Sequence, residues 1–332
     1  MPSTKRSLVL LGILLFIFAL LAIYAPLRSQ DYTITLPTAT KPAKPITIAL
    51  LSDLHSGRFY QDEIIRALQE REVDLIALSG DMIDDEEDMQ GAWEFFAQLD
   101  SRAESKKADS NKLAKIPKFY VSGNHEFWSG EIVAIKQKLA SYNVSVLDFS
   151  QPCTTLSING LEIAVFGVDD PYYSTYSKPD QHIDKAVWDR AKWKGGFWEQ
   201  EWQELVASTI TANRACQTLE STFEKVDSRE ANNPKADFSI LLSHRPEFIE
   251  LFRSLPIDLI LSGHTHGGQV RIPYLLNGLY APNQGLFPKY AGGLYELDSS
   301  KRQYLVISRG LSLNYRLPRI FNPPEVVFIT LK

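Results

Sequence analysis

Short hydrophobic runs rich in Ile, Val and Leu recur along this chain, separated by polar or helical stretches. Each run has the length of a buried strand, whereas residues 61–70 and 131–141 place apolar side chains at helical spacing. Strands interspersed with helices predict an α/β fold. The predicted strands comprise residues 46–51, 74–79, 118–122, 161–168, 238–243, 257–262, 303–308 and 325–331.

The most hydrophobic stretch lies near the amino terminus. Residues 8–25 carry no charged side chain, and as a helix they would extend about 27 Å, close to the thickness of the hydrocarbon core of a bilayer. The stretch has no polar face, which argues against a buried helix of a soluble protein. Residues 1–30 therefore predict an N-terminal transmembrane helix that anchors the chain in a membrane.

A cleaved signal peptide is the alternative interpretation of this stretch. Cleavage after Ala25 would put Ile23 where such sites have a small residue, and Pro26 would follow the cut, so an uncleaved single-pass anchor is favoured. Lys5 and Arg6 favour an amino terminus in the cytoplasm and the rest of the chain outside it. Basic residues after the helix weaken this orientation, so a domain on the cytoplasmic face stays open.

Composition divides the remainder of the chain into a linker and one large domain. Residues 31–45 are rich in Pro and Thr and predict an extended linker, and residues 46–332 follow as the domain. Within it, residues 172–236 hold four of the six tryptophans and predict a helical cap insertion. The alternative is a helix that packs on the core, because apolar residues follow Trp202 at helical spacing.

The overall charge argues against one class of partner. The chain has 35 basic and 40 acidic side chains and no basic run. Binding to a nucleic-acid backbone requires a basic surface, so no nucleic-acid partner is expected. The two cysteines, Cys153 and Cys216, are far apart in sequence and indicate little about the redox compartment.

Five of the six histidines lie in short polar segments that follow hydrophobic runs. Because the carboxyl ends of strands gather at one edge of an open sheet, these side chains are expected to lie close together. Adjacent glycines let the backbone turn sharply there. The segments are Asp53-Leu54-His55, Gly80-Asp81, Gly123-Asn124-His125-Glu126, His244 and Gly263-His264-Thr265-His266.

The donor types in these segments indicate a metal site. Carboxylates and imidazoles suit Mn, Fe and Zn. Seven donors are too many for one tetrahedral ion and fit two divalent ions that share a carboxylate. Paired ions of this kind, about 3.5–4 Å apart, bind the attacking and leaving oxygens of a phosphoryl displacement. The pattern therefore predicts a two-metal enzyme with a phosphoester substrate.

In composition and order, the five segments resemble the signature of the calcineurin-like metallophosphoesterase superfamily, which reads D-x-H, G-D, G-N-H-D/E, H and G-H-x-H. One such pair would mean little, but five in order form a specific pattern. The resemblance covers the chain from about residue 46 to its carboxyl terminus. It implies a two-sheet sandwich flanked by helices and a metal-dependent phosphoric ester hydrolase.

The resemblance also implies a ligand set for each ion. One ion would be bound by Asp53, His55 and His266, the other by Asn124, His244 and His264, and Asp81 would bridge the two.

Two residues of the third segment have other implied roles. His125 would be catalytic, stabilising or protonating the leaving oxygen. Glu126 would orient its neighbours without binding metal.

The carboxyl-terminal third is similar to a narrower group, the membrane-linked bacterial phosphodiesterase branch of the superfamily. The similarity rests on Gly267-Gly268 after the last ligand, on Ser308-Arg309-Gly310, and on the Pro-rich stretch 318–325. Arg309, at the end of a predicted strand, is the candidate for substrate binding. A surface ion pair is the alternative for Arg309, and Arg58 and Arg245 are weaker candidates.

The sequence thus predicts a phosphodiesterase in the cell inner membrane that hydrolyses a phosphodiester or pyrophosphate bond, with a lipid-linked substrate as a candidate. An alternative is the UDP-2,3-diacylglucosamine pyrophosphatase of lipid A synthesis, of the chlamydial type, which also belongs to this branch. An alternative of another class is an inactive metal-binding scaffold. The substrate of the pyrophosphatase is cytoplasmic. A domain shown to lie outside the cytoplasm would therefore exclude this alternative.

Overall fold

The computed structural model describes residues 2–100, 112–176, 199–213, 216, 236–313 and 318–332. The helices are α1 (Pro2–Ile23), α2 (Gln61–Gln69), α3 (Gln90–Leu99), α4 (Lys112–Lys115), α5 (Asn124–Trp128), α6 (Ile132–Ser141), α7 (Tyr173–Tyr176), α8 (Glu199–Ala212) and α9 (Ile249–Ser254). The strands are β1 (Arg28–Ile34), β2 (Ile46–Leu51), β3 (Leu75–Ser79), β4 (Lys118–Val121), β5 (Ser145–Val146), β6 (Cys153–Ile158), β7 (Leu161–Gly167), β8 (Phe238–Leu242), β9 (Leu259–Ser262), β10 (Tyr280–Ala281), β11 (Gly285–Leu286), β12 (Gly293–Asp298), β13 (Gln303–Ile307) and β14 (Glu325–Leu331).

Two mixed six-stranded sheets organise the domain. The first has the strand order β1-β14-β2-β3-β4-β5 and the second β12-β13-β9-β8-β7-β6. In the first sheet β2, β3 and β4 are parallel neighbours, and in the second β7, β8, β9 and β13 are parallel. All eight predicted strands are present, and the prediction of two sheets flanked by helices is confirmed.

Three hydrophobic layers hold the sheets and helices together. The middle layer lies between the sheets and includes Ile48 and Val121 from the first and Ile240 and Leu261 from the second. The first sheet packs its other face against α2 and α3, and the second packs against α8 and α9. Strands buried on both faces are uniformly apolar, which is why these runs were recognisable in the sequence.

The segment before the domain differs from the expected linker. Residues 28–34 form β1, which pairs in parallel with β14 at the edge of the first sheet. Along β1 only Ile34 is buried, whereas Tyr32 is partly exposed. The weak alternation of an edge strand explains why composition alone suggested an extended tether over residues 31–45.

The helix α1 covers most of the predicted membrane anchor, and nearly all of its apolar side chains that the structure describes are exposed. Ala22 is an exception, because its carbonyl accepts a hydrogen bond from the backbone N–H of Phe321 and its side chain is buried. No helix in the part of the chain that the structure describes is long and apolar enough to cross a membrane. The transmembrane span thus stays a prediction.

The predicted insertion is described in part. Its helix α8 packs on the second sheet through Trp202, Val206 and Ile210, and the Trp202 indole donates a hydrogen bond to the Asp169 carbonyl over 2.8 Å. The packing agrees with the alternative of a helix on the core. Residues 177–198, which include the three other tryptophans of the insertion, lie outside the described residues, and the role as a cap stays a prediction.

Sequence spacing gave no indication of a disulfide, but the structure pairs Cys153 with Cys216. Their Cα atoms are 6.4 Å apart, within the usual range for a disulfide. The bond joins the edge strand β6 to the segment after α8, across a sequence separation of 63 residues.

Candidate metal centre

The five sequence segments meet at one edge of the sandwich. The first three follow β2, β3 and β4 of the first sheet, and the other two follow β8 and β9 of the second. The sheets touch at this end: the Ser79 hydroxyl donates a hydrogen bond to the Leu261 carbonyl, and the Asp53 carboxylate accepts one from the His264 backbone N–H. The seven predicted ligands are thereby brought together from segments more than 200 residues apart.

Asp53, His55 and His266 form the first candidate group. The Nε2 atoms of His55 and His266 are 3.2 Å apart, and the His266 Nε2 atom lies 3.6 Å from a carboxylate oxygen of Asp53. Two imidazole nitrogens bound to one ion at about 2.1 Å each lie roughly this far apart. The group is therefore compatible with one shared cation.

Asp81, His244 and His264 form the second candidate group, and all three are buried. The His244 Nε2 atom lies 3.0 Å from an Asp81 oxygen and 3.1 Å from the His264 Nδ1 atom. The same Asp81 oxygen is 3.8 Å from the His55 Nε2 atom of the first group. Asp81 thus lies between the groups, where a bridging carboxylate is required.

Asn124 is the seventh predicted ligand. Its side-chain oxygen is buried and has no hydrogen-bond partner in the structure. A buried carbonyl oxygen without a partner is unfavourable, and binding to a cation would satisfy it. The position of Asn124 at the start of α5, directly after the strand that neighbours β3, agrees with the predicted second group.

Hydrogen bonds outside the groups fix the histidine tautomers. The His244 Nδ1 atom lies 2.7 Å from the Ser79 carbonyl, and the His55 Nδ1 atom lies 2.7 Å from an Asp84 carboxylate oxygen. These oxygens only accept, so each Nδ1 carries the proton and each Nε2 offers its lone pair to the centre. In His264 the roles are reversed, because its Nε2 atom faces the Asn283 side-chain oxygen at 3.4 Å.

The electrostatics of the centre favour bound cations. Burial lowers the pKa of His264 and His266, which keeps these imidazoles neutral, as metal ligation requires. Burial also opposes protonation of His244, but Asp81 outweighs it and raises the His244 pKa to about 10. The negative charge of Asp81 that favours a protonated His244 would equally favour a bound metal cation. The donor set thus fits two divalent ions, and it does not distinguish Mn, Fe and Zn.

Glycines allow the segments to approach one another. A Cβ atom at Gly80 would lie 2.6 Å from the His244 ring, one at Gly123 would lie 2.2 Å from an Asp81 oxygen, and one at Gly263 would lie 2.4 Å from an Asp53 oxygen. The expected close backbone approach is therefore present. At each of the three glycines, the side chain of a candidate ligand occupies the space that a Cβ atom would need.

The ligand backbones adopt an uncommon conformation. The φ angles are positive at Asp53, His55, Asp81, His264 and His266, between 47° and 70°. Residues other than glycine pay a steric cost in this region, and such residues cluster at functional sites. The side chains of the first segment converge through this loop geometry, since β2 ends before them at Leu51, rather than by sharing one face of a regular strand.

His125 lies next to the first group and is partly exposed. Its ring is 4.4 Å from that of His55, centroid to centroid, and its Nδ1 atom is 2.6 Å from an Asp85 oxygen. Burial lowers the pKa of His125, but the charges of Asp81 and Asp85 outweigh burial and raise the pKa to about 9. The pairing with Asp85 thus favours the protonated form of His125.

Glu126 has the orienting position that the sequence predicted. Its buried carboxylate accepts hydrogen bonds from the backbone N–H groups of Asp81, Met82, Ile83 and Gly123, at 2.7 to 3.1 Å. These bonds tie the loop after β3 to the loop after β4. Glu126 therefore sets the position of the Asp81 carboxylate through the backbone.

The three arginine candidates are all engaged with carboxylates. Arg309 pairs with buried Glu325 at 3.2 Å, although its Nε atom is buried without a partner. Arg245 makes a bidentate pair with Asp170, and Arg58 pairs with acidic side chains on the surface. Arg309 therefore forms an ion pair, but with a buried carboxylate and not on the surface as the alternative had it, and substrate binding by Arg309 stays a prediction.

Sequence reasoning missed three residues at this site. Asp84 and Asp85 contact His55 and His125, and the acidic run after Asp81 was the signal that could have identified them. Asn283, beside His264, lies 19 residues further along in a loop, and no local pattern marks it.

Comparison with known proteins agrees with this geometry. Residues 46–268 match the model of the calcineurin-like phosphoesterase family. An uncharacterised metallophosphoesterase of Helicobacter pylori is 26% identical over 87% of this chain and 60% of its own length. The phosphodiesterase YaeI of Escherichia coli is 36% identical over 31% of this chain and 34% of its own. The UDP-2,3-diacylglucosamine pyrophosphatase LpxG of Chlamydia muridarum is 37% identical over 26% of this chain and 27% of its own length.

These relatives resemble the chain to different extents. The match to the Helicobacter pylori protein leaves about two-fifths of that protein uncovered, and the matches to YaeI and LpxG are confined to about 100 residues. The family match covers about two-thirds of the chain and contains all seven candidate ligands. The chain belongs to the calcineurin-like phosphoesterase family.

Proposed function

We propose that this protein hydrolyses a phosphodiester or pyrophosphate bond at a membrane, with two divalent ions bound by the two ligand groups. The observation that carries the proposal is the position of the Asp81 carboxylate, 3.0 Å from His244 in one group and 3.8 Å from His55 in the other. Ions bound there supply Lewis acidity toward the phosphoryl oxygens and lower the pKa of water.

His125 supplies the acid for the reaction. Its Nδ1–H group donates to Asp85, which leaves the opposite nitrogen, Nε2, to carry the proton that the leaving oxygen receives. Departure of an alkoxide from a phosphodiester requires such a proton more than departure of a stabilised phenolate does. A protonated imidazole at the open side of the centre supports this class of substrate.

A lipid-type substrate is supported by features outside the centre. YaeI is named a phosphodiesterase, and LpxG is named for a lipid-linked pyrophosphate substrate. The exposed apolar side chains of α1 favour attachment of this chain to a membrane. We therefore place the reaction on a phosphoester that carries a hydrocarbon tail, with Arg309 as the candidate for contact with its phosphate.

The Cys153–Cys216 disulfide supports a location for the domain in an oxidising compartment. Disulfides persist in oxidising environments such as the bacterial periplasm and are rare in the cytosol. We therefore place the domain outside the cytoplasm, at the inner membrane. This location argues against hydrolysis of UDP-2,3-diacylglucosamine, because that substrate is cytoplasmic. Hydrolysis of UDP-2,3-diacylglucosamine at the cytoplasmic face remains the alternative function.

Substrate preference and metal dependence test the proposal together. The full chain, stripped with chelator and reloaded with manganese or zinc, is assayed on bis-p-nitrophenyl phosphate and on p-nitrophenyl phosphate. We expect metal-dependent turnover that favours the diester. Absence of turnover in a chain that binds two ions would favour the scaffold, and cysteines found reduced in cells would favour the cytoplasmic pyrophosphatase.

A further inference from the structure

The loop after the last ligand segment exposes an unusual number of large apolar side chains. Outside α1 and the adjoining Tyr24, eight large hydrophobic residues are exposed among the described residues, and six of them lie between residues 272 and 287. Leu275 is 84% exposed and Tyr274 is fully exposed. We call this segment, residues 272–287, the apolar loop. Its exposed members are Ile272, Tyr274, Leu275, Tyr280, Leu286 and Phe287.

The apolar loop has a defined backbone. Its strands β10 and β11 form a small antiparallel hairpin, and the Leu279 N–H group donates to the Gly268 and Val270 carbonyls. A Cβ atom at Gly268 would lie 2.4 Å from the Gly278 Cα atom, so the loop packs backbone against backbone on the ligand segment. Hydrogen bonds hold the loop in place and leave its apolar side chains pointing outward. Apolar exposure on this scale marks an interaction surface.

The apolar loop adjoins the metal centre. Asn283 at its hairpin faces the His264 ring at 3.4 Å. Just beyond the loop, the Ala291 carbonyl accepts a hydrogen bond from Thr265, which lies between the last two candidate ligands. Whatever contacts the loop therefore lies at the mouth of the centre.

The loop is also continuous with the apolar helix α1. Next to the loop, Val270 pairs with Ile320, and the Arg271 N–H group donates to the Ile320 carbonyl. The next residue, Phe321, contacts the Phe18 ring of α1 with centroids 5.5 Å apart. Exposed Phe59 lies on the same side, since its neighbour Tyr60 donates to the Ala25 carbonyl after the helix. The helix and the loop thus share one face of the molecule.

From this arrangement we propose that the apolar loop inserts into the surface of a lipid bilayer and holds the metal centre against it. A lipid surface is the partner that fits both parts of the face, because α1 is apolar on all sides from Leu8 to Ile23 and the loop combines aliphatic with aromatic tips. Tyr and Phe with nearby Lys289 are typical of segments that lie at the interface of a membrane. This inference rests on the proposed function, in which the chain is attached to a membrane. It adds that the loop brings the metal centre to the bilayer surface, where the headgroup of a lipid substrate lies.

A fluorescent probe on the loop tests the insertion directly. The two cysteines form a disulfide, so a cysteine introduced by Leu275→Cys can be labelled with nitrobenzoxadiazole in the unreduced full chain. The protein is reconstituted in vesicles of phosphatidylethanolamine and phosphatidylglycerol with brominated acyl chains. We expect a blue-shifted emission and quenching several-fold stronger than at Ser299→Cys, in the exposed turn of the β12–β13 hairpin at the opposite end of the sheet. Equal emission and quenching at the two positions would overturn the proposal.

Substitution of Tyr274 and Leu275, the two most exposed residues of the apolar loop, provides a second test. With the probe at Leu286→Cys, the double variant Tyr274→Ser and Leu275→Ser should lose most of the quenching. The control Val133→Ser, an exposed apolar residue on α6, should retain it. Turnover of soluble bis-p-nitrophenyl phosphate by the double variant should be unchanged, and unaltered quenching would contradict insertion. The probe reports insertion even if the chain lacks turnover, so failure of the proposed function is seen separately.

Discussion

His125 and Asp85 form a hydrogen-bonded pair, with the Nδ1 atom of the imidazole 2.6 Å from the carboxylate. Asp84 lies 3.4 Å from the same nitrogen and 2.7 Å from the Nδ1 atom of His55. These two adjacent carboxylates therefore orient both a candidate ligand and the candidate acid. Burial raises the pKa of Asp84, but the hydrogen bond to His55 and the charges of His55 and His125 together outweigh burial and lower this pKa to about 2.

Loss of the His125 imidazole should impair the chemistry while the metals stay bound. His125→Ala is expected to lower kcat for the diester by about 10²- to 10⁴-fold, the usual contribution of a general acid. The metal content, measured by mass spectrometry of the purified chain, should remain two ions. Loss of an ion in this variant would instead identify His125 as a ligand.

Loss of the Asp85 charge should act through His125. Asp85→Asn is expected to lower kcat by roughly 10- to 100-fold, as other losses of an orienting partner do. The loss should be larger for an alkyl phosphodiester than for a p-nitrophenyl ester, since p-nitrophenolate leaves with little need for a proton. Equal losses with both leaving groups would argue that Asp85 has only a structural role.

The close approach at Gly80 predicts a specific defect. Gly80 and Gly160 both have φ of +80°, but a Cβ atom would contact the His244 ring at Gly80 and nothing within 4 Å at Gly160. Either change to Ala should cost about 1–2 kcal/mol of stability from backbone strain. Gly80→Ala alone should also weaken metal binding, as measured by titration calorimetry. Similar metal affinity in the two variants would contradict the close packing.

The disulfide should contribute to stability. Cys153→Ser with Cys216→Ser removes a cross-link over 63 residues, which chain entropy predicts to cost about 4 kcal/mol. Thermal unfolding of the wild type in reductant should approach that of the double variant. Unchanged unfolding temperatures in both comparisons would show that the bond does not form.

Much of the fold and of the centre was predictable because the responsible signals are local. Buried parallel strands are apolar throughout, and each ligand segment follows such a strand directly in the sequence. The edge strand β1 was missed, because it buries little besides Ile34. The Cys153–Cys216 pair and the contact between Asn283 and His264 depend on loop positions far apart in sequence. Those positions are set only by tertiary packing.

Arg309 illustrates how tertiary contacts modify a predicted role. Its place at a strand end suggested a free guanidinium aimed at substrate, yet the sequence could not show that Glu325 at the start of β14 would reach it. The pair exists because β14 runs antiparallel to β2 and so brings its first residue to the same edge of the sandwich. The Nε atom of Arg309 is buried and has no partner among the described residues.

The central claim is a two-ion centre bridged by Asp81, and the most direct measurement is the metal stoichiometry of two variants by inductively coupled plasma mass spectrometry. The wild type should bind two ions per chain. Asp81→Asn should impair binding of both ions, whereas His266→Ala should mainly weaken one. Loss of a single ion to the same extent in both variants would contradict the bridge.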